Sequence, residues 1–476
     1  MTHTRPKIHV TSWIGATLAA FSAAALAAPA QEPAAARRPP NFIVILGEGA
    51  GWTSTSVQMD DRNPASRGVG LKTPGIERLA AAGMRFSDGY AASPRCTPSR
   101  AALFTGRSPA ALHMTFVGDG KGGAVGNTRM RSPQASLELP SEETTIGELL
   151  KRAGYATAHF GKWHVGREHP SRHGFDESDG PTSNGGPENV PDPNPKQAIE
   201  MAAHGINFIE RQSKAGRPFY LQLSHYPSQA EKRGGNRDDA LLQKELSSTD
   251  LSVGAMLDTV DRLGLRGSTY IVYTTDHGSQ GRNLPLAGGK GGVWEGGIRV
   301  PFIVAGPAAA ANTCSHVRVS ATDILPTFAE LAGVRESLPR GWEGGSLAAV
   351  LRNGGVGVVR RSRPEFVVHF PHYDKDPLGP ASAILLGSQK LIRFYETGSQ
   401  RLFDLSTDPS ERVDLAAQQP ERVAELSKRL DDYLKSVGAQ MPASNPKFDP
   451  SRPSDLPARG GGRGRRRPDT TKEDPC

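Results

Sequence analysis

The chain has 476 residues, a formal net charge of +8 at pH 7 and three cysteines. The length excludes a single small domain and predicts one large domain joined to a smaller one. Three cysteines, at positions 96, 314 and 476, cannot make a disulfide framework, so packing of an apolar core has to stabilise the fold.

The first thirty residues predict an export signal. Arg5 and Lys7 precede an apolar run over 13–26 that carries no charge, with small-residue cleavage sites at Ala25-Leu26-Ala27 or Ala28-Pro29-Ala30. The run is too short for a membrane span, and no later segment resembles one. We therefore predict a signal peptide over 1–30 and an exported protein, periplasmic or secreted, without a membrane span.

Signals for strands and helices then alternate along the chain. An uninterrupted apolar run at 42–46 predicts a buried strand that ends in the flexible turn Gly47-Glu48-Gly49. The elements expected after it are a helix at 74–82, a helix at 145–153 begun by a Thr145/Glu148 capping box, strands at 155–160 and 219–223, a helix at 251–263 and a strand at 269–274. This order predicts an α/β fold over 40–363, with a large mixed, mainly parallel sheet sandwiched by helices.

A smaller unit is predicted over 364–440. Its expected elements are strands at 366–368, 390–395 and 401–405 and an amphipathic helix at 421–437. The simplest arrangement of these elements is a small antiparallel sheet covered by one helix.

The end of the chain is rich in Pro, Gly, Ser and Arg from Pro442 onward. Near the terminus, glycines alternate with arginines at positions 459, 463, 465, 466 and 467. This composition predicts a disordered basic tail over 441–476 without a specific partner, and nucleic acid is not an expected partner. The alternative is that the arginines bind an anionic polysaccharide.

Polar residues fall directly after the predicted strands of the larger unit. They are Glu48, Lys162, His164, His225, Asp276 and His277. Ligands of open α/β sheets bind beyond the carboxyl ends of the strands, so residues far apart in the sequence are expected to meet in one pocket there.

The most informative segment is Cys96-Thr97-Pro98-Ser99-Arg100, which continues as Ala101-Ala102-Leu103-Phe104-Thr105-Gly106-Arg107. It resembles the Cys-x-Pro-x-Arg signature of the type I sulfatases, which have an alkaline phosphatase-like fold. The resemblance implies that a formylglycine-generating enzyme oxidises Cys96 to formylglycine. One hydroxyl of the aldehyde hydrate attacks the sulfur of a sulfate ester, and the other lets the aldehyde reform and release sulfate. Arg100 is expected to hold these oxygens.

Three further motifs resemble the same family. Gly161-Lys162-Trp163-His164 implies that Lys162 binds sulfate and that His164 contacts the hydrate of the nucleophile. Ser224-His225-Tyr226-Pro227 implies that His225 contacts the sulfate or protonates the leaving group. The run from Gly289 to Pro301 places Lys290 as a second sulfate-binding lysine.

The metal motifs depart from the family pattern. The family has Asp-Asp after the first strand and Asp-Asn-Gly later, and these bind a divalent cation, commonly calcium, against the nucleophile. Here the motifs read Glu48-Gly49 and Asp276-His277. The implied ligands are Glu48, Asp276, His277 and the modified Cys96. Calcium is the expected metal, although an imidazole ligand suits manganese or zinc better.

Two other groups leave alternatives open. Asp60 and Asp61 are either further metal ligands or solvated loop acids. The cluster around His369 and His372 is either a sugar subsite, with His372 as the substrate-binding residue, or a packed hairpin end. Cys314 is expected to be structural.

The motifs together predict an exported sulfatase that acts on a sulfate monoester, with sulfated carbohydrate as the expected substrate and partner. The resemblance covers residues 41–438. One alternative is a phosphonate or phosphodiester hydrolase of the same superfamily, which Asp276-His277 favours. Another is a non-catalytic protein that binds sulfated glycans, which Glu48-Gly49 and the basic tail suggest.

Overall fold

The computed structural model describes residues 1–2, 38–117, 122–123, 125–185, 198–226, 239–281 and 283–456. The described residues from Pro39 onward belong to one compact unit, which contains both predicted domains. Residues 3–30 of the predicted export signal and the arginines of the tail lie outside the described residues. The boundary at 363 therefore stays a prediction.

The strands are β1 (Asn41–Gly47), β2 (Gly83–Phe86), β3 (Gly89–Tyr90), β4 (Met130–Arg131), β5 (Ala156–Gly161), β6 (Glu177–Ser178), β7 (Phe219–Ser224), β8 (Thr269–Thr275), β9 (Phe302–Ala305), β10 (Thr313–Ser315), β11 (Val319–Ser320), β12 (Phe366–Phe370), β13 (Ala381–Leu386), β14 (Gln389–Phe394), β15 (Gln400–Asp404) and β16 (Ala443–Ser444).

The α-helices are α1 (Pro74–Ala82), α2 (Cys96–Thr105), α3 (Pro109–Leu112), α4 (Ile146–Arg152), α5 (Ala198–Lys214), α6 (Asp239–Arg262), α7 (Glu295–Ile298), α8 (Ile324–Leu331), α9 (Ala348–Arg352) and α10 (Pro420–Ser436). Within the described ranges, none of these helices combines the length and the apolarity needed to cross a bilayer.

The main sheet has eight strands in the order β10-β2-β9-β8-β1-β7-β5-β6. Its centre is parallel, because β8, β1, β7 and β5 run side by side in one direction. Strand β9 runs antiparallel to both β8 and β2. The predicted α/β class with a mixed, mainly parallel sheet is therefore confirmed.

The sheet is buried on both faces. Side chains of β1 alternate between the two faces, with Phe42 and Val44 on one side and Ile43 and Ile45 on the other. The first face packs against α2, α4, α8 and α9, and the second against α1, α5 and α6. Because both faces of β1 are buried, its sequence is an uninterrupted apolar run.

A second sheet has the antiparallel order β12-β13-β14-β15. One face packs against the body of the protein, where Val368 and Phe394 share a cluster with Tyr90. The other face is covered by α10, through Leu426 and Leu430. The predicted antiparallel sheet with a covering helix is present, and this sheet has no free apolar face.

A buried ionic cluster joins the second sheet to the body of the protein. Lys390 of β14 lies 2.9 Å from Glu295 Oε1 and 2.7 Å from Glu411 Oε1. The other oxygen of Glu295 accepts a hydrogen bond of 2.8 Å from the Tyr90 hydroxyl. Glu295 begins α7, five residues after Lys290, so this cluster also fixes the loop that carries Lys290.

Several elements differ from the sequence prediction. Helix α5 and strand β13 have no predicted counterpart, and α6 begins twelve residues before the predicted 251–263 helix. Residues 442–456 are folded, whereas composition predicted disorder from Pro442. The reason is polar pairing with a distant loop, in which Asn127 Nδ2 donates to the carbonyl oxygens of Asp449 and Arg452.

Substitution of Lys390 tests the ionic cluster. Lys390→Met should lower the free energy of unfolding by about 3–5 kcal/mol, because it leaves the buried carboxylate of Glu411 without its cation and leaves Glu295 with Arg299 alone. The deficit should shrink as the pH falls toward about 5, since the unpaired carboxyls then bind protons more tightly in the folded protein than in the unfolded chain. Urea unfolding at several pH values measures both effects.

The matched control is Lys428→Met, which removes an exposed ion pair with Asp432 on α10. It should leave the free energy of unfolding unchanged within error. Equal losses for the two variants would contradict the role given to Lys390.

Candidate active site

The predicted polar residues converge at one edge of the main sheet. Asp276, Glu48, His225 and Lys162 each come directly after one of the four adjacent parallel strands β8, β1, β7 and β5. Hydrogen bonds continue the ladder beyond the strand ends, from Lys162 N to Ser224 O (2.7 Å) and from His225 N to Leu46 O (2.8 Å). The register of the sheet therefore brings these four residues together.

Cys96 is the first residue of α2, and every residue of this helix is buried. Arg95 precedes it in an extended conformation. Arg100 lies four positions later, so its side chain shares a helix face with Cys96. The amino end of the helix points backbone N–H groups and the positive end of its dipole at position 96, an arrangement that favours anions.

Arg100 holds the strand ends together. Its guanidinium donates to the carbonyl oxygens of Lys162 (2.6 Å) and His225 (3.4 Å). It also donates to Glu48 Oε2 at 2.7 Å and to Asp276 Oδ2 at 3.3 Å. The contacts of Arg100 are with residues around position 96, and its predicted contact with the oxygens of the nucleophile stays a prediction.

Glu48 connects Cys96 to the cations. Its Oε1 accepts from Cys96 Sγ at 2.9 Å and from Lys162 Nζ at 2.9 Å, while Oε2 binds Arg100. All four side chains are buried. One carboxylate therefore fixes the position of the thiol relative to two positive charges.

The donor atoms of Glu48, Cys96, Asp276 and His277 all lie within 4.8 Å of one another. His277 Nδ1 is 2.8 Å from the Gly278 carbonyl oxygen, so it carries the proton, and Nε2 lies 3.2 Å from Cys96 Sγ. A ligating histidine is oriented in this way, with its other N–H donated to a carbonyl. Two carboxylates, an imidazole and the side chain at position 96 therefore fit a divalent cation.

The charges at this site shift the pKa values of its acidic and basic side chains. Burial and the negative charge of Glu48 raise the pKa of Asp276 to about 8. Burial opposes protonation of His277, but Asp276 and Cys96 outweigh it and raise the pKa of His277 to about 10. A cation that binds here replaces protons, because ligands bind metal in their deprotonated form.

His164 lies beside the start of α2. It has a left-handed backbone conformation (φ 56°), and its carbonyl oxygen accepts from Thr97 Oγ1 at 2.8 Å. Burial and the charge of Lys162 lower its pKa to about 4, although a hydrogen bond with Cys96 opposes the shift. His164 is therefore a neutral imidazole next to position 96.

His225 is almost completely buried, and its Nε2 has no hydrogen-bond partner among the described residues. Burial and the charge of Arg100 lower its pKa to about 3. An unpartnered buried ring nitrogen carries a desolvation cost that a ligand can relieve. This histidine is therefore available to contact a bound molecule.

Lys290 lies in a glycine-rich loop that is tied to both parts of the site. Its N–H donates to Ser279 O (3.1 Å), and the N–H of Gly291 donates to Pro94 O (3.0 Å), two residues before Cys96. The charge of Lys290 opposes protonation of His277. A cavity of about 470 Å³ lies against this loop, and its lining includes Lys290, Trp294, Lys375, Asp376, Leu378 and Arg401.

Other predicted candidates lie elsewhere. His372 is buried, with Nε2 2.8 Å from Thr115 Oγ1 and its ring 4.7 Å from that of Phe116. Its contact with substrate stays a prediction, and these contacts favour the alternative of a packed hairpin end. Asp60 and Asp61 do not join the cluster of metal-ligand residues around Cys96, because Asp61 pairs with His316.

Sequence patterns missed the contacts that brace the site. Arg95 makes a two-pronged, buried ion pair with Asp374 of the 374–378 loop, at 2.5 and 2.6 Å. Thr182 Oγ1 donates to Gly161 O and accepts from Trp163 N. Arg95, Asp374 and Thr182 lie outside the recognised motifs, so no sequence pattern pointed to these contacts.

The chain matches two family models. Residues 40–334 match the sulfatase model, and residues 289–440 match the C-terminal model of N-sulphoglucosamine sulphohydrolase. Together the two matches cover the main sheet, the residues described above and the second sheet.

The chain is similar to named sulfatases over most of its length. N-acetylgalactosamine-6-sulfatase of Mus musculus is 30% identical over 430 residues, which cover 79% of this chain and 76% of that protein. Arylsulfatase A of Homo sapiens is 29% identical, over 85% of this chain and 84% of that protein.

Solved structures with a similar fold include Ps i-CgsB in complex with k-i-k-neocarrahexaose. It has a TM-score of 0.68 and 22% identity, over 83% of this chain and 93% of that one. The sulfatase PsFucS1 from Pseudoalteromonas sp. has a TM-score of 0.65 and 22% identity, over 84% and 91% of the two chains.

Asp276→Asn tests the cation site. The change keeps the shape of the side chain but removes a charged ligand, so affinity for divalent cations should fall by more than about tenfold, since even residues that only orient ligands are worth that much. Titration calorimetry with Ca²⁺, Mn²⁺ and Zn²⁺, together with metal analysis of the purified protein, measures the loss and identifies the preferred ion.

The control is Asp258→Asn, which changes an exposed aspartate that pairs with Arg78. It should bind metal like the unchanged protein. If Asp276→Asn also retains full affinity, the cluster is not the metal site.

Proposed function

Because the chain belongs to the sulfatase family and is a sulfuric ester hydrolase, we propose that it releases inorganic sulfate from a sulfated carbohydrate by means of a formylglycine made from Cys96. The observation that carries this proposal is the set of charges around position 96. Lys162, Arg100 and the amino end of α2 converge there. His225 adds an unpartnered ring nitrogen.

Formylglycine supplies, as its hydrate, one oxygen that attacks sulfur and a second that allows sulfate to leave without another attack on sulfur. The residues of this chain would position that group. Glu48 lies 2.9 Å from Cys96 Sγ, within reach of a proton from the side chain at position 96. His164, beside Thr97, is a neutral imidazole near the same residue.

The cations would bind the sulfate group. A sulfate monoester carries one negative charge. Positive charges stabilise it only weakly in water, but fixed positive charges in a buried site stabilise it strongly. Lys162 is completely buried and Lys290 is nearly so, and both enter from loops that follow the sheet edge. Arg100 acts as a positioning residue, because its contacts are with the residues around the substrate position.

A divalent cation would be held by Glu48, Asp276, His277 and the side chain at position 96, and would polarise the oxygens of the nucleophile. Calcium is the metal of the family resemblance. The imidazole of His277 favours manganese or zinc instead, because calcium prefers oxygen ligands.

Two observations support a carbohydrate substrate. N-acetylgalactosamine-6-sulfatase is the name of several relatives that are 30% identical to this chain. The cavity beside Lys290 contains an aromatic ring, Trp294, and two cations, Lys375 and Arg401, which suit a sugar with anionic groups. We further propose export to the periplasm or the medium, with a formylglycine-generating enzyme as the maturation partner.

The first experiment is mass spectrometry of the peptide that contains Cys96, from protein coexpressed with a maturing enzyme. Conversion exchanges one sulfur and two hydrogens for one oxygen, and the hydrate adds one water. The matured protein should then release sulfate from sulfated oligosaccharides. Cys96→Ala should bind metal less well and release none.

The outcomes separate the alternatives. An intact thiol in an otherwise folded, matured preparation would exclude the formylglycine mechanism. Hydrolysis of phosphodiesters in preference to matched sulfate esters would favour the phosphohydrolase. Formylglycine-bearing, metal-loaded protein that binds sulfated glycans but releases no sulfate would favour the binding protein.

His225→Asn tests protonation of the leaving group. The pKa of His225 is about 3 without substrate, so this role requires the bound sulfate anion to raise it. Loss of a general acid should then slow hydrolysis of sugar sulfates by about 10²–10⁴-fold, because alkoxides leave poorly without a proton. Hydrolysis of aryl sulfates with acidic phenols should slow much less, since their leaving groups need no proton. Measurement of kcat for the variant and the unchanged protein gives the fold-loss for each substrate class, and equal fold-losses for the two classes would contradict this role.

A further inference from the structure

A second cluster of metal-ligand residues lies at the edge of the main sheet, away from Cys96. It consists of Asp61, from the loop after β1, Cys314, from the edge strand β10, and His316, which follows that strand. The donor atoms of the three side chains all lie within 4.8 Å of one another. Three strands, β2, β9 and β8, lie between β10 and β1 in the sheet order, so this cluster is distinct from the active site.

The hydrogen bonds of His316 fix which ring nitrogen faces the cluster. Ser87 Oγ lies 2.9 Å from His316 Nδ1 and also donates to Asp88 Oδ2 at 2.9 Å. With Nδ1 at Ser87, the ring presents Nε2 to Asp61 Oδ1, 3.1 Å away. A ring nitrogen and a carboxylate oxygen at this distance share either a hydrogen bond or a cation that both ligate.

The orientation of His316 is the one that ligating histidines adopt. Their second ring N–H is donated to an oxygen, which fixes the ring and the tautomer. Here the oxygen belongs to Ser87, which is itself held because its carbonyl accepts from Arg299 Nε (3.0 Å) and from Trp52 Nε1 (3.1 Å). The imidazole is therefore fixed by the core, although the cluster is open to solvent.

Cys314 supplies the third donor. It is a half-buried free thiol, and its Sγ lies 3.6 Å from the carbonyl oxygen of Met59, two residues before Asp61. The thiol thus lies against the loop that carries the carboxylate. A thiolate, an imidazole and a carboxylate in one place are a donor set that zinc binds, with solvent completing four ligands.

We propose that Asp61, Cys314 and His316 bind a zinc ion that joins the loop after β1 to the edge strand β10. On binding, Cys314 loses its proton to solvent and its sulfur forms the bond to zinc, so no oxidant or reductant is needed. The ion would tie down an exposed sheet edge, which is otherwise a place where strands pair with other chains. The proposal is independent of the reaction at Cys96.

Cobalt is the probe for this site, because its bond to a thiolate gives a charge-transfer absorption band that carboxylate and imidazole ligands do not give. The background is the full chain with Cys96→Ala and Cys476→Ser, so that Cys314 is the only remaining cysteine. Addition of Co²⁺ should produce the band, and Zn²⁺ should displace it. Cobalt bound by Glu48, Asp276 and His277 gives no thiolate band in this background.

Variants assign the band to its ligands. Cys314→Ser should abolish it, and His316→Gln or Asp61→Asn should weaken cobalt binding by more than about tenfold. His204→Gln is the matched control, since His204 is also an exposed histidine paired with an aspartate, Asp179, and should leave the band unchanged. Circular dichroism checks that each variant is folded.

The proposal fails if saturating Co²⁺ gives no thiolate band, or if the band persists in Cys314→Ser. In either case His316 and Asp61 form an ordinary hydrogen-bonded pair. Neither result bears on sulfate release, which depends on the separate cluster around Cys96.

Discussion

The candidate active site is organised around one buried guanidinium. Arg100 reaches the residues that follow four adjacent strands, through the backbone of Lys162 and His225 and through two carboxylates. The register of the sheet brings these strand ends close together, but it does not orient their side chains. A guanidinium presents five donors in one plane and stays charged at every pH at which the protein is folded. A lysine in its place would hold fewer of these groups.

Glu48 shows how one altered residue changes the connections in the site. An aspartate at this position would be one methylene shorter, and the same carboxylate would not span the same distances. The glutamate links the side chain at position 96 to Lys162 with one oxygen and to Arg100 with the other. The departures from the usual metal motifs therefore leave a site that is internally connected, and His277, as a proposed ligand, would supply nitrogen where the family motif has an amide oxygen.

Local sequence signals predicted the parts of the fold that depend on neighbouring residues, such as helix caps and strand ends. The Thr145/Glu148 capping box is present with both hydrogen bonds, and the polar residues after β1, β5, β7 and β8 do meet. Strand β13 was missed because Ala381, Ser382 and Ala383 carry little strand signal. Its place comes from pairing on both sides. The partners of Asp61 and Asn127 lie more than two hundred residues away, so composition alone suggested solvated or disordered segments.

The complete burial of Cys96 determines when its side chain can be altered. Its sulfur is covered by Glu48 and His277, and it starts a helix with no exposed residue. If an enzyme alters this residue, as proposed, it has to reach the sulfur before the fold covers it, because the sulfur is fully buried in the finished fold. The time available for that reaction is therefore the interval between synthesis and folding. Slower folding would lengthen this interval, and a molecule that folds first would be sealed in its unmodified form.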